Sequence, residues 1–262
     1  MIRVRPPAVA GLFYPDDPDE LSRQIHAFLR GAKGEALGSP KAIVAPHAGY
    51  IYSGPIAGSA YAQIAHRAET IRRVVLLGPS HRVAFRGLAR TAADVLATPL
   101  GEVPVDQEAY ARVADLPQVY ELEAAYEGEH CLEVQLPFLQ TVLADFRVVP
   151  LLVGEADAEA VAEVLERLWD GEETLIVVSS DLSHYLDYES ARAIDARTSL
   201  AIESLRPQDI GYHQACGRNP LNGLLREAQR HGLRAQTLDL RNSGDTAGPR
   251  GQVVGYGAYA FA

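Results

Sequence analysis

Three short apolar runs stand out along the chain because none of them alternates with polar residues: Ala42 to Ala45, Val74 to Leu77 and Leu175 to Val178. A strand with one wet face would alternate, so these runs predict strands buried on both faces, as in a parallel sheet covered by helices. Each run breaks into a turn that carries a histidine. The turns read Pro46-His47-Ala48-Gly49-Tyr50, Gly78-Pro79-Ser80-His81 and Ser179-Ser180-Asp181-Leu182-Ser183-His184. Helical spacing governs much of the remaining chain. Leu21, Ile25 and Phe28 mark a surface helix from about Asp17 to Arg30, with Asp17 or Asp19 to cap it. A Gly-rich link, Gly31 to Pro40, follows. Further helices are predicted over about 55–65, 106–114, 133–144, 156–169, 188–205 and 220–231, and further strands over 147–153, 235–240 and 252–260. Strands alternating with helices predict an α/β fold: a three-layer αβα sandwich around a mixed, mainly parallel sheet. No linker, charge block or repeat interrupts the pattern, so residues 1–262 are expected to form one domain.

Composition adds mainly exclusions. Lys+Arg 24 against Asp+Glu 34 gives a net charge of -10, which argues against a nucleic-acid groove or a polybasic membrane surface. The hydrophobic fraction of 47% and charged fraction of 22% are those of a chain that folds and buries a large core. The opening MIRVRPPAVAGLFYPDDPDE lacks the apolar centre of a signal peptide, and no stretch approaches the ~18 apolar residues of a membrane span. A cytoplasmic location is therefore expected. Cys131 and Cys216 cannot make a disulfide framework and read as free thiols. GxGxxG after a strand, GxxxxGK[ST], HExxH, CxxC and GxSxG are all absent from the sequence, which removes the commonest nucleotide, zinc-protease, dithiol and hydrolase readings.

Ligands of such sheets bind beyond the carboxyl ends of the strands, and all three histidine turns fall at that edge. His47 and His81 lie about one βαβ unit apart, so their strands could be neighbours and their imidazoles could converge on a divalent metal. Two histidines and a carboxylate leave positions open for substrate and dioxygen. The plainer reading of either histidine is a turn residue that satisfies backbone groups. Asp181 and His184 are spaced so that the carboxylate could orient the imidazole, or could simply cap a helix. In Glu129-His130-Cys131-Leu132-Glu133, His130 is a candidate hydrogen-bond donor, while Glu133 is explained by its place near a helix N-terminus. Asp245, in Asn242-Ser243-Gly244-Asp245, is the candidate acidic third ligand, although those residue types build turns everywhere. Cys216 precedes Gly217-Arg218-Asn219-Pro220, where Asn219 would cap and Pro220 begin a helix; the thiol could be activated there or be a buried structural one. Tyr50, Tyr52 and Tyr185 border the histidine turns and could wall a pocket or pack in the core.

The segments APHAGYIYSG, LLGPSH, GEHCLEVQLPFL, SSDLSHY, ACGRNPL and NSGDTAG, with the opening RPPAVAGLFYP, resemble the Memo-like protein family in order, from about Arg5 to Phe261. That resemblance implies an α/β sandwich related to the extradiol-type, class III non-haem iron dioxygenases. It also implies metal ligands at His47 and His81 and pocket residues at His130, Asp181, His184 and Cys216. Prokaryotic members are described alongside a radical-SAM protein and an AMMECR-type protein, which would be the expected partners. The animal member's third ligand is a Cys in the loop before the last strand; this chain aligns Thr246 there, beside Asp245. Loss of that sulfur favours a harder Fe(II) site with Asp245, with copper or zinc as the other candidates. The expectation is a mononuclear metal-dependent oxidoreductase acting on a small molecule, with His130, Asp181 and His184 in proton transfer. The alternatives are a binding or adaptor protein that keeps the pocket without catalysis, and a metal-assisted hydrolase.

Overall fold

The computed structural model describes residues 2–36 and 38–262; Leu37, within the Gly-rich link, and Met1 lie outside it. The strands are β1 (Val4–Arg5), β2 (Ala42–Ala45), β3 (Arg73–Pro79), β4 (Leu88–Arg90), β5 (Val95–Thr98), β6 (Gly101–Pro104), β7 (Val119–Glu121), β8 (Arg147–Val153), β9 (Thr174–Ser179), β10 (His184–Leu186), β11 (Ala235–Asn242) and β12 (Val253–Phe261). The helices are α1 (Pro18–Arg30), α2 (Tyr50–Tyr61), α3 (Gln107–Ala111), α4 (Leu136–Val142), α5 (Ala158–Leu168), α6 (Tyr188–Glu203) and α7 (Arg218–Arg230). Helices α1, α3, α5 and α6 start on an aspartate, Asp17, Asp106, Asp157 and Asp187, whose carboxylate accepts a main-chain N–H three residues on.

The main sheet runs β10-β12-β2-β9-β3-β8-β4-β7, with β11 paired to the other side of β12. Its centre, β2-β9-β3-β8, is parallel and buried throughout, apart from the first residues of β3 and β8. Antiparallel strands β12 and β4 border it. Helices α1, α2 and α4 cover one face and α5, α6 and α7 the other, which completes a three-layer α/β sandwich. One apolar cluster joins the two sides of the sheet, from Val9 and Leu21 through Leu76 and Val177 to Phe261. No helix among the described residues is long and apolar enough to cross a membrane.

Three local expectations are corrected. β2 and β3 are not neighbours, because β9 inserts between them and pairs with both. The helix expected from Pro55 begins at Tyr50 and takes Pro55 inside it. α7 begins at Arg218 behind Gly217, and Asn219 is not its cap, since its Nδ2 donates to Gly154 O at 2.8 Å. The three-residue strands β4 and β7 and the small sheet β1-β5-β6 carry too few residues to show a period, and sequence reading missed them.

Candidate metal centre

The three central strands end at one edge, and each delivers a functional side chain two residues beyond its last residue: His47 after β2, Asp181 after β9 and His81 after β3. Because Ala45 is in register with Ser179, the turns after β2 and β9 lie side by side. Asp181 Oδ1 accepts the main-chain N–H of His47 at 2.7 Å.

Donor and acceptor accounting fixes the tautomer of His47. Tyr61 OH donates to Gln135 Oε1 at 2.8 Å, so the other end of that amide is NH2, and it donates to Pro46 O at 3.0 Å and Ser179 Oγ at 2.9 Å. Ser179 spends its single proton on Cys131 O at 2.6 Å. Its Oγ can only accept from His47 Nδ1, 2.9 Å away, so Nδ1 carries the proton and Nε2 presents a lone pair. Burial, reinforced by the neighbouring His81, pushes the pKa of His47 well below the usual imidazole value, and the ring is neutral.

His81 is held in the same sense by a carboxylate. Glu129 accepts from His81 Nδ1 at 2.9 Å, from the His81 main-chain N–H at 2.7 Å and from the N–H groups of His130 and Cys131. Burial alone would raise its pKa, but these bonds and His81 outweigh it and hold Glu129 at about 2. An ionised carboxylate only accepts, so Nδ1 of His81 keeps its proton and Nε2 is free. A second imidazole nitrogen fixed by an outer oxygen is the arrangement that orients metal-binding histidines.

His130 joins the pair. The ring centroids of His47, His81 and His130 are mutually 5.1, 5.4 and 4.8 Å apart. Phe13 packs on His130 at 4.6 Å. Burial, then the nearby His47 and His81, lowers His130 to about 4, so it is neutral at pH 7. Cys216 approaches from the turn before α7, with Sγ 3.2 Å from His47 Nε2. One ligand atom each from His47, His81 and Cys216 lie within 4.8 Å of one another, as do atoms of His81, Glu129 and His130.

The cluster opens into a cleft of about 550 Å³ whose wall includes Phe13, Tyr52, His184, Tyr185 and Tyr256, and whose rim includes Ser243 and Gln252. The structure thus brings His47, His81, His130, Asp181 and His184 to one cleft, with Cys216 against it. Asp181 does not orient His184, whose Nδ1 donates instead to Leu182 O at 2.8 Å. Burial raises the pKa of Asp181, with the His47 N–H opposing.

Three expected residues are elsewhere. Asp245 does not join the histidines: its carboxylate accepts from Tyr188 OH at 2.5 Å and from the Asn242 N–H at 3.0 Å, closing a capping box over Ser243–Asp245. Thr246 Oγ1 donates to Ser243 O at 3.2 Å within the same turn. Tyr50 is buried, its OH on Val134 O at 2.6 Å and its ring on Phe138, so it belongs to the core. Sequence reading gave no role to Glu129, Ser179 or Gln135 and missed Phe13 and Tyr256. Only Glu129, adjacent to His130, had a local signal.

Fold and site together define an α/β sandwich with a histidine-lined cleft at the carboxyl edge of its parallel strands. The sequence model of the Memo-like protein family matches residues 5–260, and the chain belongs to that family. A MEMO1 family protein of Aquifex aeolicus is 37% identical over 266 residues, covering 97% of this chain and 98% of that one. Another, from Archaeoglobus fulgidus, is 35% identical over 275 residues, with 98% and 99% covered. The solved structure of an uncharacterized Escherichia coli K12 protein shares the fold at TM-score 0.51 and 13% identity, covering 84% of this chain and 98% of that chain.

Proposed function

We propose that the cleft is a mononuclear metal centre and that the protein is a metal-dependent oxidoreductase of the non-haem iron, dioxygenase-like type, acting on a small molecule. One observation carries this reading: the Nδ1 of both His47 and His81 is tied to an outer oxygen, which leaves Nε2 of each ring as the nitrogen open to a ligand. Two imidazoles and a third donor within 4.8 Å fit a divalent transition metal. His47 and His81 would hold it, and bound Fe(II) supplies the one-electron chemistry that a closed-shell substrate and dioxygen lack between them.

The remaining residues have roles set by their own contacts. His184 fixes its Nδ1–H on Leu182 O, which leaves Nε2 to take a proton from a molecule in the cleft. His130, neutral at pH 7, is a second proton carrier. Phe13, Tyr52, Tyr185 and Tyr256 give flat aromatic walls suited to orienting a planar group. No Lys or Arg lines the cleft among the described residues, which disfavours a phosphorylated substrate.

The test is metal analysis of protein purified without air. Near-stoichiometric iron, lost in the His47→Ala, His81→Ala double variant, is expected. A metal-free wild type, unable to take up Fe(II), would sink the proposal. Oxygen uptake with turnover separates oxidation from metal-assisted hydrolysis.

A further inference from the structure

Glu133 stands near a helix start, but its carboxylate serves the N-terminal segment. Three donors meet on it: the Ala8 N–H on Oε2 at 2.7 Å, and the Val9 N–H at 2.9 Å and Tyr14 OH at 2.7 Å on Oε1. Residues 8–14 form a strap that carries Phe13 to the cleft. We infer that Glu133 is the positioning residue of this aromatic wall: it clamps both ends of the strap and so sets where Phe13 stands over His130. The inference deepens the cleft reading proposed above and rests on it, but not on the identity of a metal.

The strap is a tight turn that closes on the clamped residues. Gly11, at φ 77°, takes the left-handed conformation that the reversal needs, and its N–H donates to Tyr14 O at 2.8 Å. The N–H groups of Leu12 and Phe13 both donate to Val9 O, at 3.0 and 2.9 Å. Val9 and Tyr14, the buried feet of this turn, are the two residues joined through Glu133 Oε1. Its tip is unpacked, with Leu12 81% exposed. Beneath the first foot, Ala8, Glu129, Leu132 and Glu133 border a small cavity of about 40 Å³, so contact there is incomplete and the hydrogen bonds to Glu133 hold the chain.

The other anchor of the strap is the histidine turn. The Tyr50 N–H, three residues beyond His47, donates to Phe13 O at 2.7 Å, and the Tyr14 and Tyr50 rings pack at 5.5 Å. Phe13 thus hangs between Tyr50 and Glu133, with its ring 4.6 Å from that of His130. Two acids of one short segment divide the work: Glu129 holds His81, and Glu133 holds the wall beside His130. A displacement of about 1 Å at such a wall is enough to spoil the alignment of a bound molecule.

The test uses the full chain without metal. In Glu133→Ala, hydrogen exchange at Ala8 and Val9 should quicken at least about tenfold, the scale of a lost hydrogen bond to a carboxylate, with the amides of β2, β3 and β9 unchanged. The place of the wall is read by Phe13→Trp in a Trp169→Phe background, which leaves a single indole. Adding Glu133→Ala should shift its emission to the red and let acrylamide quench it more readily, with Glu133→Gln, which keeps one acceptor oxygen, in between. Unchanged exchange in the strap overturns the clamp. An indole that stays shielded while the strap exchanges faster also overturns it, since Phe13 then needs only Tyr50. Faster exchange spread equally over β2, β3 and β9 does the same, because Glu133 would then serve the fold at large. None of these results bears on iron content, and a metal-free wild type would leave the clamp standing.

Discussion

The main-chain N–H of His47 donates to Oδ1 of Asp181 at 2.7 Å, joining two turns that lie 134 residues apart in sequence. Both groups are buried, His47 being 1% exposed. Asp181 is therefore a strut for the His47 turn, in addition to any part it has in the cleft. Asp181→Ala would leave a buried N–H without an acceptor, at a cost of about 1–3 kcal/mol. Asp181→Asn retains a carbonyl oxygen at the same place. Chemical denaturation of the metal-free protein should show the alanine variant destabilised and the asparagine variant largely restored. Equal losses in both would mean that the carboxylate charge, not the accepted N–H, is what the turn needs.

Glu129 is not among the residues lining the cleft and bears on it through the groups it holds. Its carboxylate accepts from both the ring and the main chain of His81, with only 2% of its side chain exposed. Glu129→Gln removes the charge that keeps the proton on Nδ1. Outer-oxygen replacements of this kind typically lower metal affinity by about 10–100-fold. Zn(II) affinity measured by chelator competition should fall in that range, with far-ultraviolet circular dichroism unchanged. An unaltered affinity would show that His81 does not depend on this contact.

The pH dependence of stability should carry the mark of Asp195. This residue lies on α6, buried, with Oδ1 on the Ser183 N–H at 3.0 Å, and burial raises its pKa to about 6. The unfolded carboxyl titrates near 3.9, so between the two values the native chain holds more protons and stability falls as pH rises. The charged form costs the native state on the order of 2–3 kcal/mol above pH 6, and nothing below about pH 4. Glu129, held at about 2, acts in the opposite sense: its contribution is present above about pH 4.3 and is lost as pH drops toward 2. Asp195→Asn keeps an acceptor for Ser183. Its urea midpoint at pH 7 should exceed that of the wild type, and the gap should close toward pH 4. Parallel profiles for the two proteins would remove Asp195 as the cause.

The buried strands were legible because an apolar run that never alternates has few other uses, and β8 emerges over the same residues that the pattern predicts. His47 and His81 were legible because each follows such a run within a turn. Glu129 had only its place beside His130 as a signal, and that does not distinguish an acid that faces His81 from one at a helix start. Asp245 misled for a related reason. Asn-Ser-Gly-Asp has the chemistry of a turn, and in this fold the turn consumes the carboxylate.

By itself the sequence determined the element types, the carboxyl-edge placement of the histidine turns and the family to which the chain belongs, because these depend on short-range periodicity and contiguous motifs. Tertiary structure decided that β9 lies between β2 and β3, that Ser179 and Glu129 hold the Nδ1 atoms of the two histidines, and that Asp245 stays in its own turn while Asp181 and Cys216 stand beside His47. Those facts rest on hydrogen bonds and strand pairings between distant segments, and a donor's partner is chosen by what packing places within about 3 Å of it, not by its neighbours in the chain.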